Sequence, residues 1–286
     1  MRLRTAPEDF GLTHVISLGA GVQSTTMLLM ALHEYIMPLP KVAIFADTGW
    51  EPSAVYEHLE WLSEYSGRLG VPVVRVSAGN IRQASIEGIK NESRFVALPF
   101  YTKDDEGKVG KMSRYCTAEY KVQPIDQWER EHLLGLSKGQ HAPSEPAIVQ
   151  WIGISVDEYQ RMKDSQLGWK KHRWPLIEHG MTRADCERWL IRHGFAIPPR
   201  SSCVGCPLHS PGHWRDMRDN HPAEWADAVA FDREIRKVPR MKHPTYLHRQ
   251  VVPLDQVDLR TPEEMGQLAI WDRDEFNEEC EGMCGV

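Results

Sequence analysis

The chain has 286 residues, of which 34 are Lys or Arg and 40 are Asp or Glu, so its formal net charge is −6. This length is enough to bury a sizeable core, either as one large domain or as one domain with an appendage. The negative charge argues against a protein that coats nucleic acid along its whole surface, although a local basic channel is compatible with it. The sequence shows no secretory leader and no apolar run of membrane length, so we expect a cytoplasmic protein without a membrane partner.

The first predicted element is an apolar strand that ends in a small-residue turn and continues as an apolar helix, all within residues 14–30. Gly19 and Gly21 remove side chains where the backbone would approach a ligand, and the helix directs unpaired N–H groups and its positive dipole end toward the turn. The segment therefore predicts a loop in which amides and hydroxyls hold a phosphate or sulfate. The predicted nucleotide-binding residues are Ser17, Leu18, Gly19, Ala20, Gly21, Val22, Gln23, Ser24 and Thr25.

Further strands are predicted at residues 41–46, 71–76 and 148–154, with helical segments between them. Strands that alternate with helices predict a doubly wound, mainly parallel α/β sheet whose ligands bind at the carboxyl ends of the strands. Asp47 follows the second strand at such an end, so we expect it to contact the nucleoside. Ser53 is predicted to cap the next helix, whose apolar face carries Val55, Leu59 and Leu62.

Two segments are predicted to be loops. Residues 80–112 combine polar residues, glycine and charge with little periodicity, which predicts a mobile loop beside the site. Residues 136–146 are predicted to be a linker or surface loop.

A capping box predicts a helix that begins after Thr182, with Asp185 as its acidic partner, and that ends at Gly194. Cys186 lies on the apolar face of this helix, which favours a position in the core over a ligand role. Beyond Pro198 the composition shifts to prolines, tryptophans and basic residues. We therefore expect a nucleotide-binding α/β domain over residues 1–200 and a small helical appendage over residues 201–286 that packs on it.

Basic residues cluster at 161–173 and at 233–249. Each run is interpreted either as a solvated face or as a basic rim that attracts an anionic nucleotide or sulfur donor. The composition leaves both interpretations open.

The sharpest chemical signal is the sequence Cys203-Val-Gly-Cys206 followed by proline. Two thiolates three positions apart can bind one metal centre, and a Cys-Pro ending also occurs in iron–sulfur motifs. The chain has six cysteines, which in a reducing compartment are typical of metal ligands, redox groups or core residues. Two ligands are not enough for a metal centre. One local solution is a zinc ion bound by Cys203, Cys206, His209 and His213.

Residues 17–25 resemble the PP-loop of the ATP pyrophosphatases and of the related phosphoadenylyl-sulfate reductases, with Gln23 where the pyrophosphatases usually carry Asp. Four further segments, namely 47–51, 114–125, 153–161 and 174–185, are similar to segments of the reductase family and occur in the same order. The resemblance covers about residues 14–207 and implies a Rossmann-like PP-loop fold. No single motif carries it alone.

The resemblance also implies an iron–sulfur cluster. In the assimilatory adenylyl-sulfate reductases two cysteine pairs bind one [4Fe–4S] cluster, and here Cys203 and Cys206 match the second pair. Cys116 matches one member of the first pair, whereas Tyr115 replaces the other. The fourth position is then filled by a C-terminal cysteine, Cys280 or more favourably the glycine-flanked Cys284, or it stays open for exogenous sulfide, as in the tRNA-thiolating PP-loop enzymes.

The function that the resemblance implies is nucleotide-dependent sulfur transfer, with ATP or adenylyl sulfate as substrate, Mg²⁺ as a candidate ion, and Arg161 and Lys121 as cations that neutralise the reacting anion. In a thiolation, ATP activates an acceptor, for which nucleic acid is one candidate, and sulfur from a donor protein then displaces AMP. In a reduction, Cys280 attacks the sulfur of an adenylyl sulfate and sulfite leaves, with electrons from a donor protein. Acidic neighbours of Cys280 would raise its pKa, which ranks thiolation first.

A third interpretation is a zinc-stabilised nucleotide-binding module without catalysis. The sequence does not distinguish a monomer from an oligomer, and it does not identify the sulfur acceptor.

Overall fold

The computed structural model describes residues 9, 11–92, 98–238, 241–260 and 264. Within these ranges, five parallel strands form the central sheet in the order β3-β2-β1-β6-β7, and three short strands form an antiparallel sheet in the order β5-β4-β8. The strands are β1 (Thr13–Leu18), β2 (Val42–Ala46), β3 (Val73–Val76), β4 (Tyr101–Lys103), β5 (Val109–Lys111), β6 (Ile148–Ile152), β7 (Lys170–Arg173) and β8 (Thr245–Tyr246). The doubly wound α/β fold predicted from the sequence is confirmed.

Helices connect the strands and continue beyond the sheet. They are α1 (Val22–Leu32), α2 (Ser53–Arg68), α3 (Ile81–Lys90), α4 (Gln123–His132), α5 (Pro175–Glu178), α6 (Arg183–Arg192), α7 (Pro211–Asn220) and α8 (Pro222–Glu234). A π-helical turn (Ala118–Val122) leads directly into α4, and 3-10 turns lie at Val156–Arg161 and Leu254–Gln256. Among these described helices, none is both long and apolar enough to cross a membrane.

Both faces of the central sheet are covered, because β2 and β6 are buried at every position and β1 is buried at every position after Thr13. Ile16 and Leu18 of β1 pack on one face with residues of α1, α2 and α6. Val15, which points to the opposite face, packs with Ile125 of α4. A parallel sheet buried on both faces is the arrangement that alternating strands and helices produce.

The strand order reverses at the centre of the sheet. From β1 the chain moves outward through β2 and β3, whereas β6 and β7 lie on the other side of β1. The connections that leave the carboxyl ends of β1 and β6 therefore run in opposite directions and leave a crevice between them. This switch point is where a doubly wound fold binds its ligands.

A second core joins the C-terminal helices to the sheet domain. It contains Trp50 after β2, Ile81 of α3 and Phe100, together with Trp214 of α7 and Phe231 of α8. The short strand β8 also pairs with β4, so residues from both sides of position 200 build the antiparallel sheet. The described residues after position 200 thus share a core with earlier segments of the chain and contribute a strand as well as helices.

Three local predictions are wrong. The predicted loop at 80–112 contains α3 and the β4–β5 hairpin, because Asn80 caps α3 through its side chain and Ile81, Ile86 and Ile89 bury one face of that helix. Residues 93–97 lie outside the described part of the chain.

Ser53 does not cap α2, because the cap position is Pro52 and the Ser53 hydroxyl donates to Glu224 instead. The basic run 161–173 is not simply a solvated face. Its last four residues form β7, in which Lys170 is buried against Glu129 of α4, and the buried Arg173 pairs with Glu178.

Other predicted elements are confirmed. Residues 136–146 contain no helix or strand. The capping box of α6 is present, with the Thr182 and Asp185 side chains bonded to each other's backbone N–H groups. Cys186 is fully buried in the core beneath the sheet, as its position on the helix predicted.

Candidate functional site

The loop between β1 and α1 is shaped by a left-handed residue. Ala20 has a φ of +60° and is fully buried. Left-handed backbone is uncommon and costly for a residue with a Cβ atom, so Ala20 is the strained position of this loop. The sequence predicted that Gly19 and Gly21 let the backbone approach a ligand; Gly21 has a φ of −89° and serves as the cap of α1. A left-handed residue in such a turn directs successive N–H groups toward one side, which is the geometry of an anion nest.

The hydroxyl groups predicted to bind an anion differ in their partners. Ser24 Oγ accepts a hydrogen bond from the Gly19 N–H at 3.2 Å, so it stabilises the loop. Thr25 Oγ1 lies 3.0 Å from His58 Nε2, and burial lowers the pKa of His58 to about 4, so this ring is neutral. Ser17 Oγ, in contrast, is buried without a hydrogen-bond partner among the described residues. Of the three hydroxyls, only that of Ser17 is left for a ligand.

Gln23 is held by the carboxyl end of β6, across the switch point. Its Nε2 atom lies 3.1 Å from Glu158 Oε2 and 3.4 Å from Ser155 Oγ. Its Oε1 atom accepts from Arg183 Nη1 at 3.3 Å. Position 23 carries an amide where the related enzymes carry a carboxylate, but the buried carboxylate of Glu158 lies directly beside it. The sequence did not identify Glu158 as a site residue.

Arg161, a predicted catalytic cation, lies at this same place. Its guanidinium pairs with Glu158, and the Arg161 side chain is 16% exposed whereas that of Glu158 is 6% exposed. The structure therefore brings Arg161 to the loop through the carboxylate that also contacts Gln23. Its positive charge is partly balanced by Glu158.

Asp47, the predicted nucleoside contact, closes a turn after β2. Its Oδ1 atom accepts from the Gly49 N–H at 2.7 Å and from the Tyr56 hydroxyl at 2.9 Å. Burial, together with the Asp47 carboxylate, raises the pKa of Tyr56 well above its usual value, so the phenol is protonated and donates. In this structure Asp47 orders the segment 47–51.

The segment 47–51 contacts the cysteine loop, which comprises residues 203–206. Cys203 Sγ lies 3.2 Å from Thr48 Oγ1 and 3.8 Å from Glu51 Oε1. Lys121 Nζ lies 3.7 Å from the same Glu51 oxygen, and the Lys121 and Glu51 side chains are 6% and 0% exposed. Because β2 is the neighbour of β1 in the sheet, the cysteine loop is attached to the strand end beside the loop between β1 and α1.

The charged groups around Cys203 have opposite effects on the pKa of its thiol. Burial raises the pKa of the Cys203 thiol well above its usual value, and the Glu51 carboxylate and Cys206 raise it further. Lys121 lowers the pKa of the thiol, as does the hydrogen bond with Thr48. Lys121 belongs to the π-helical turn, a rare local structure that is often found at functional sites.

The cysteine loop itself, residues 203–206, is a tight turn fastened to Trp50. The Cys206 N–H donates to Cys203 O at 3.0 Å, and the Val204 N–H donates to Trp50 O at 2.8 Å. A Cβ atom on Gly205 would lie 2.0 Å from Trp50 Cη2, so only glycine fits there. The sequence did not identify Trp50 as part of the site.

His209 fixes the carbonyl groups of this turn. Its Nε2 atom lies 3.0 Å from Cys203 O and 3.2 Å from Val204 O. Burial lowers the pKa of His209 well below its usual value, so the ring is neutral and its one N–H is on Nε2, facing these carbonyls. His209 Nδ1 and His213 Nε2 are buried without a hydrogen-bond partner in the described part of the chain, and the two rings lie 4.1 Å apart.

The predicted metal ligands are brought only partly together. Cys203 and Cys206 share one turn, and Cys116 packs against the same apolar cluster as Cys203. Across the described residues, no group of three or more His, Cys, Asp or Glu side chains is positioned to hold a metal ion, which applies equally to the zinc alternative. Cys280 and Cys284 lie outside the described residues.

The fold and this geometry define a doubly wound α/β protein with a strained, amide-rich loop at its switch point and a buried cysteine loop at the adjacent strand end. The chain matches no protein-family model and no curated protein. What the site does must therefore be argued from its own residues.

Proposed function

We propose that this protein binds the phosphates of ATP in the loop of residues 18–24 and uses the nucleotide to activate an acceptor for sulfur transfer. The observation that carries the proposal is the buried, unpartnered hydroxyl of Ser17 at the start of a loop whose left-handed Ala20 lies at the switch point of the sheet. A buried hydroxyl without a partner costs free energy unless a ligand satisfies it.

The proposed phosphate site consists mainly of backbone. The N-terminus of α1 carries unsatisfied N–H groups and a positive partial charge, which favour an anion. Val22 and Gln23 of the first turn are buried, so these groups lie in surroundings of low dielectric where they attract a phosphate more strongly than in water.

The residues of the β6 end supply charge beside this loop. Glu158 and Arg161 form an ion pair that contacts Gln23. We propose that Arg161 exchanges its contact with Glu158 for the phosphates when the nucleotide binds, which leaves the Glu158 carboxylate beside the phosphates. A carboxylate next to phosphates is the usual protein ligand for Mg²⁺.

The proposed reaction has two steps. An oxygen of the acceptor attacks the α-phosphorus of ATP, the bond to the bridging oxygen breaks, and pyrophosphate leaves with its negative charge facing the loop amides and Arg161. The sulfur nucleophile of a donor, either inorganic sulfide or a persulfide, then attacks the activated carbon and displaces AMP. With a persulfide donor, a thiol must reduce the resulting disulfide bond to release the donor.

The cysteine loop is the proposed sulfur-handling part of the site. Its fit to an iron–sulfur cluster is partial. Cys203, Cys206 and the buried cation of Lys121 suit an anionic cluster, but the described residues do not close a set of three ligands. We propose that Cys203 and Cys206 are cluster ligands with Cys116 as the third. When bound, a cluster of this kind would supply a site for sulfide.

The test is an anaerobic assay of the full chain with ATP, Mg²⁺, sulfide and unmodified RNA as the acceptor, beside a second assay with adenylyl sulfate. We expect pyrophosphate and AMP from ATP, and no sulfite from adenylyl sulfate. Sulfite release without pyrophosphate would establish the reductase alternative instead, and the absence of ATP binding would overturn the proposal.

The variant Cys203→Ala separates the nucleotide-binding loop from the cysteine loop, and Cys186→Ala is its control. Cys203→Ala should lose iron and labile sulfide while still binding ATP. Cys186→Ala changes a cysteine of the apolar core and should keep the metal content. Zinc without iron in the wild-type protein would favour the non-catalytic module and would contradict the cluster.

A further inference from the structure

The antiparallel sheet β5-β4-β8 presents aromatic and basic side chains on one face. Tyr101 of β4 lies opposite Lys111 of β5 on one side and opposite Tyr246 of β8 on the other, and Lys103 lies opposite Val109. Residues directly opposite one another in a sheet share a face, as do residues two apart in a strand. These five residues therefore form one surface, which we call the tyrosine–lysine face.

The tyrosine–lysine face points outward. The alternate residue Thr245 is fully buried, and Thr102 has a buried hydroxyl, so the opposite face of the sheet packs inward. All three residues of β5 are exposed, including Val109 at 46%, and Lys103 is exposed as well. The guanidinium of Arg236 lies 3.9 Å from the centre of the Tyr246 ring and pairs with the buried Asp232, so it packs against this ring with its charge balanced.

The nearby acidic residues at 104–106 lie at the tip of the hairpin, between β4 and β5. Asp104 Oδ1 accepts from the N–H groups of Glu106 and Lys108, and Asp105 pairs with Lys242. The tyrosine–lysine face itself therefore carries cations and no carboxylate, on a protein whose net charge is −6.

We propose that the tyrosine–lysine face binds single-stranded nucleic acid, with bases stacked on Tyr101 and Tyr246 and phosphates bound by Lys103 and Lys111. Aromatic rings that stack unpaired bases, combined with lysines along the backbone, are the chemistry of single-strand recognition on open sheets. A protein partner fits less well, because lysine is depleted at protein interfaces and Val109 is the one aliphatic residue of the face.

The position of the face connects it to the proposed reaction. β5 ends at Lys111, and four residues later Tyr115, which is 55% exposed, precedes Cys116. A strand bound on the sheet would thus be led toward the region of the cysteines. As an identification of the sulfur acceptor this inference rests on the proposed function, whereas the binding itself does not.

The test is fluorescence anisotropy of the full chain with end-labelled twelve-nucleotide oligouridylate and oligothymidylate, at low and moderate salt, with a duplex of the same length for comparison. We expect single strands to bind more tightly than the duplex. Tyr101→Leu and Tyr246→Leu should each weaken binding by about tenfold, since stacking on one aromatic ring is worth that much.

Charge reversal tests the lysines. The double variant Lys103→Glu/Lys111→Glu should weaken binding by more than tenfold and reduce the slope of log affinity against log salt by about 1.4, which is two phosphate contacts at about 0.7 each. The matched control is Lys41→Glu/Lys138→Glu, which makes the same charge change at exposed lysines outside this sheet and should leave the slope unchanged.

Failure of this inference is distinct from failure of the proposed function. ATP binding with no oligonucleotide binding overturns the tyrosine–lysine face alone, and oligonucleotide binding without ATP turnover overturns the proposed function alone. Equal affinity for duplex and single strand, with no loss in the tyrosine variants, also overturns the face. Thermal unfolding of each variant shows that the protein is folded.

Discussion

The loop between β1 and α1, which we call the switch-point loop, and the cysteine loop lie near the carboxyl ends of the neighbouring strands β1 and β2. They are held in shape by different kinds of contact. The switch-point loop, residues 17–24, is one continuous segment whose shape comes from its own backbone, with Ala20 left-handed and Ser24 bonded to Gly19. The cysteine loop, residues 203–206, depends on side chains from segments far away in the chain, above all Trp50 and Lys121.

Because of this difference, the two loops should respond differently to amino-acid substitution. A loop made of backbone tolerates side-chain changes and should respond to them mainly through ligand binding. A loop held by buried side chains of other segments should lose stability when any one of them is changed. The predictions below test this contrast in order of decreasing effect.

The largest effect is expected for Lys121→Met. Removal of the lysine leaves the fully buried Glu51 carboxylate without its cation, and breaking a buried ion pair in this way costs about 3 to 5 kcal/mol. Denaturant unfolding measures the loss. The double variant Lys121→Met/Glu51→Gln should recover most of it, and a single variant as stable as wild type would show that the pair does not hold the cysteine loop.

Gly205→Ala should follow, with a loss of about 3 kcal/mol from overpacking. The new Cβ atom would lie 2.0 Å from Trp50 Cη2, and Trp50 cannot easily move because its Nε1 donates to Asp227 at 2.6 Å. Gly212→Ala is the control, since the nearest atom to its Cβ is 3.8 Å away. Equal unfolding free energies for the two variants would contradict the close contact.

His209→Leu is expected to cost about 2 kcal/mol, because the carbonyls of Cys203 and Val204 lose their buried donor. His209→Gln places an N–H near the position of Nε2 and should retain most of the stability. The rate at which a thiol reagent modifies Cys203 gives a second measurement, and it should rise in the leucine variant alone. Equal rates in both variants would show that His209 only fills space.

On the side of the switch-point loop, His58 makes stability depend on pH. Its pKa is lowered to about 4 in the folded protein, so between pH 6.5 and 4 the unfolded chain binds a proton that the folded chain does not. Stability is therefore complete above pH 6.5 and falls as the pH falls, by at most about 1.4 kcal/mol per pH unit for this one group.

His58→Gln should flatten the dependence of the unfolding free energy on pH by up to that amount in this window. His141→Gln, at an exposed position, is the control and should leave the slope as it is. An unchanged slope in His58→Gln would show that the ring is not neutral beside Thr25.

Features that depend on residues close together in the chain were predicted better than features that depend on contacts between distant segments. The strand before the loop, the capping box at Thr182 and the buried position of Cys186 follow from local patterns, and each is present. The left-handed conformation of Ala20 was not predicted, because alanine rarely adopts it and nothing in the local sequence marks this position.

The missed elements depend on residues far away in the chain. Four consecutive basic residues do not predict a strand, and β7 is stable because Glu129 of α4 pairs with the buried Lys170. Glu158 and Trp50 were missed as site residues for the same reason. α3 is the exception, because Asn80 followed by isoleucines at helical spacing was a signal that the glycine and charge content of 80–112 obscured.

The most direct test of nucleotide binding at the switch-point loop is calorimetric titration of the full chain with ATP, compared between wild type, Ser17→Ala and Ser66→Ala. Ser17 Oγ has no partner among the described residues, so its removal should leave the melting temperature unchanged and weaken ATP binding by about tenfold, the value of one hydrogen bond. Ser66, near the C-terminal end of α2, donates to Val71 O. Ser66→Ala should therefore lower the melting temperature and keep the ATP affinity. A folded wild-type protein that does not bind ATP, or a Ser17→Ala variant with undiminished affinity, would contradict the account.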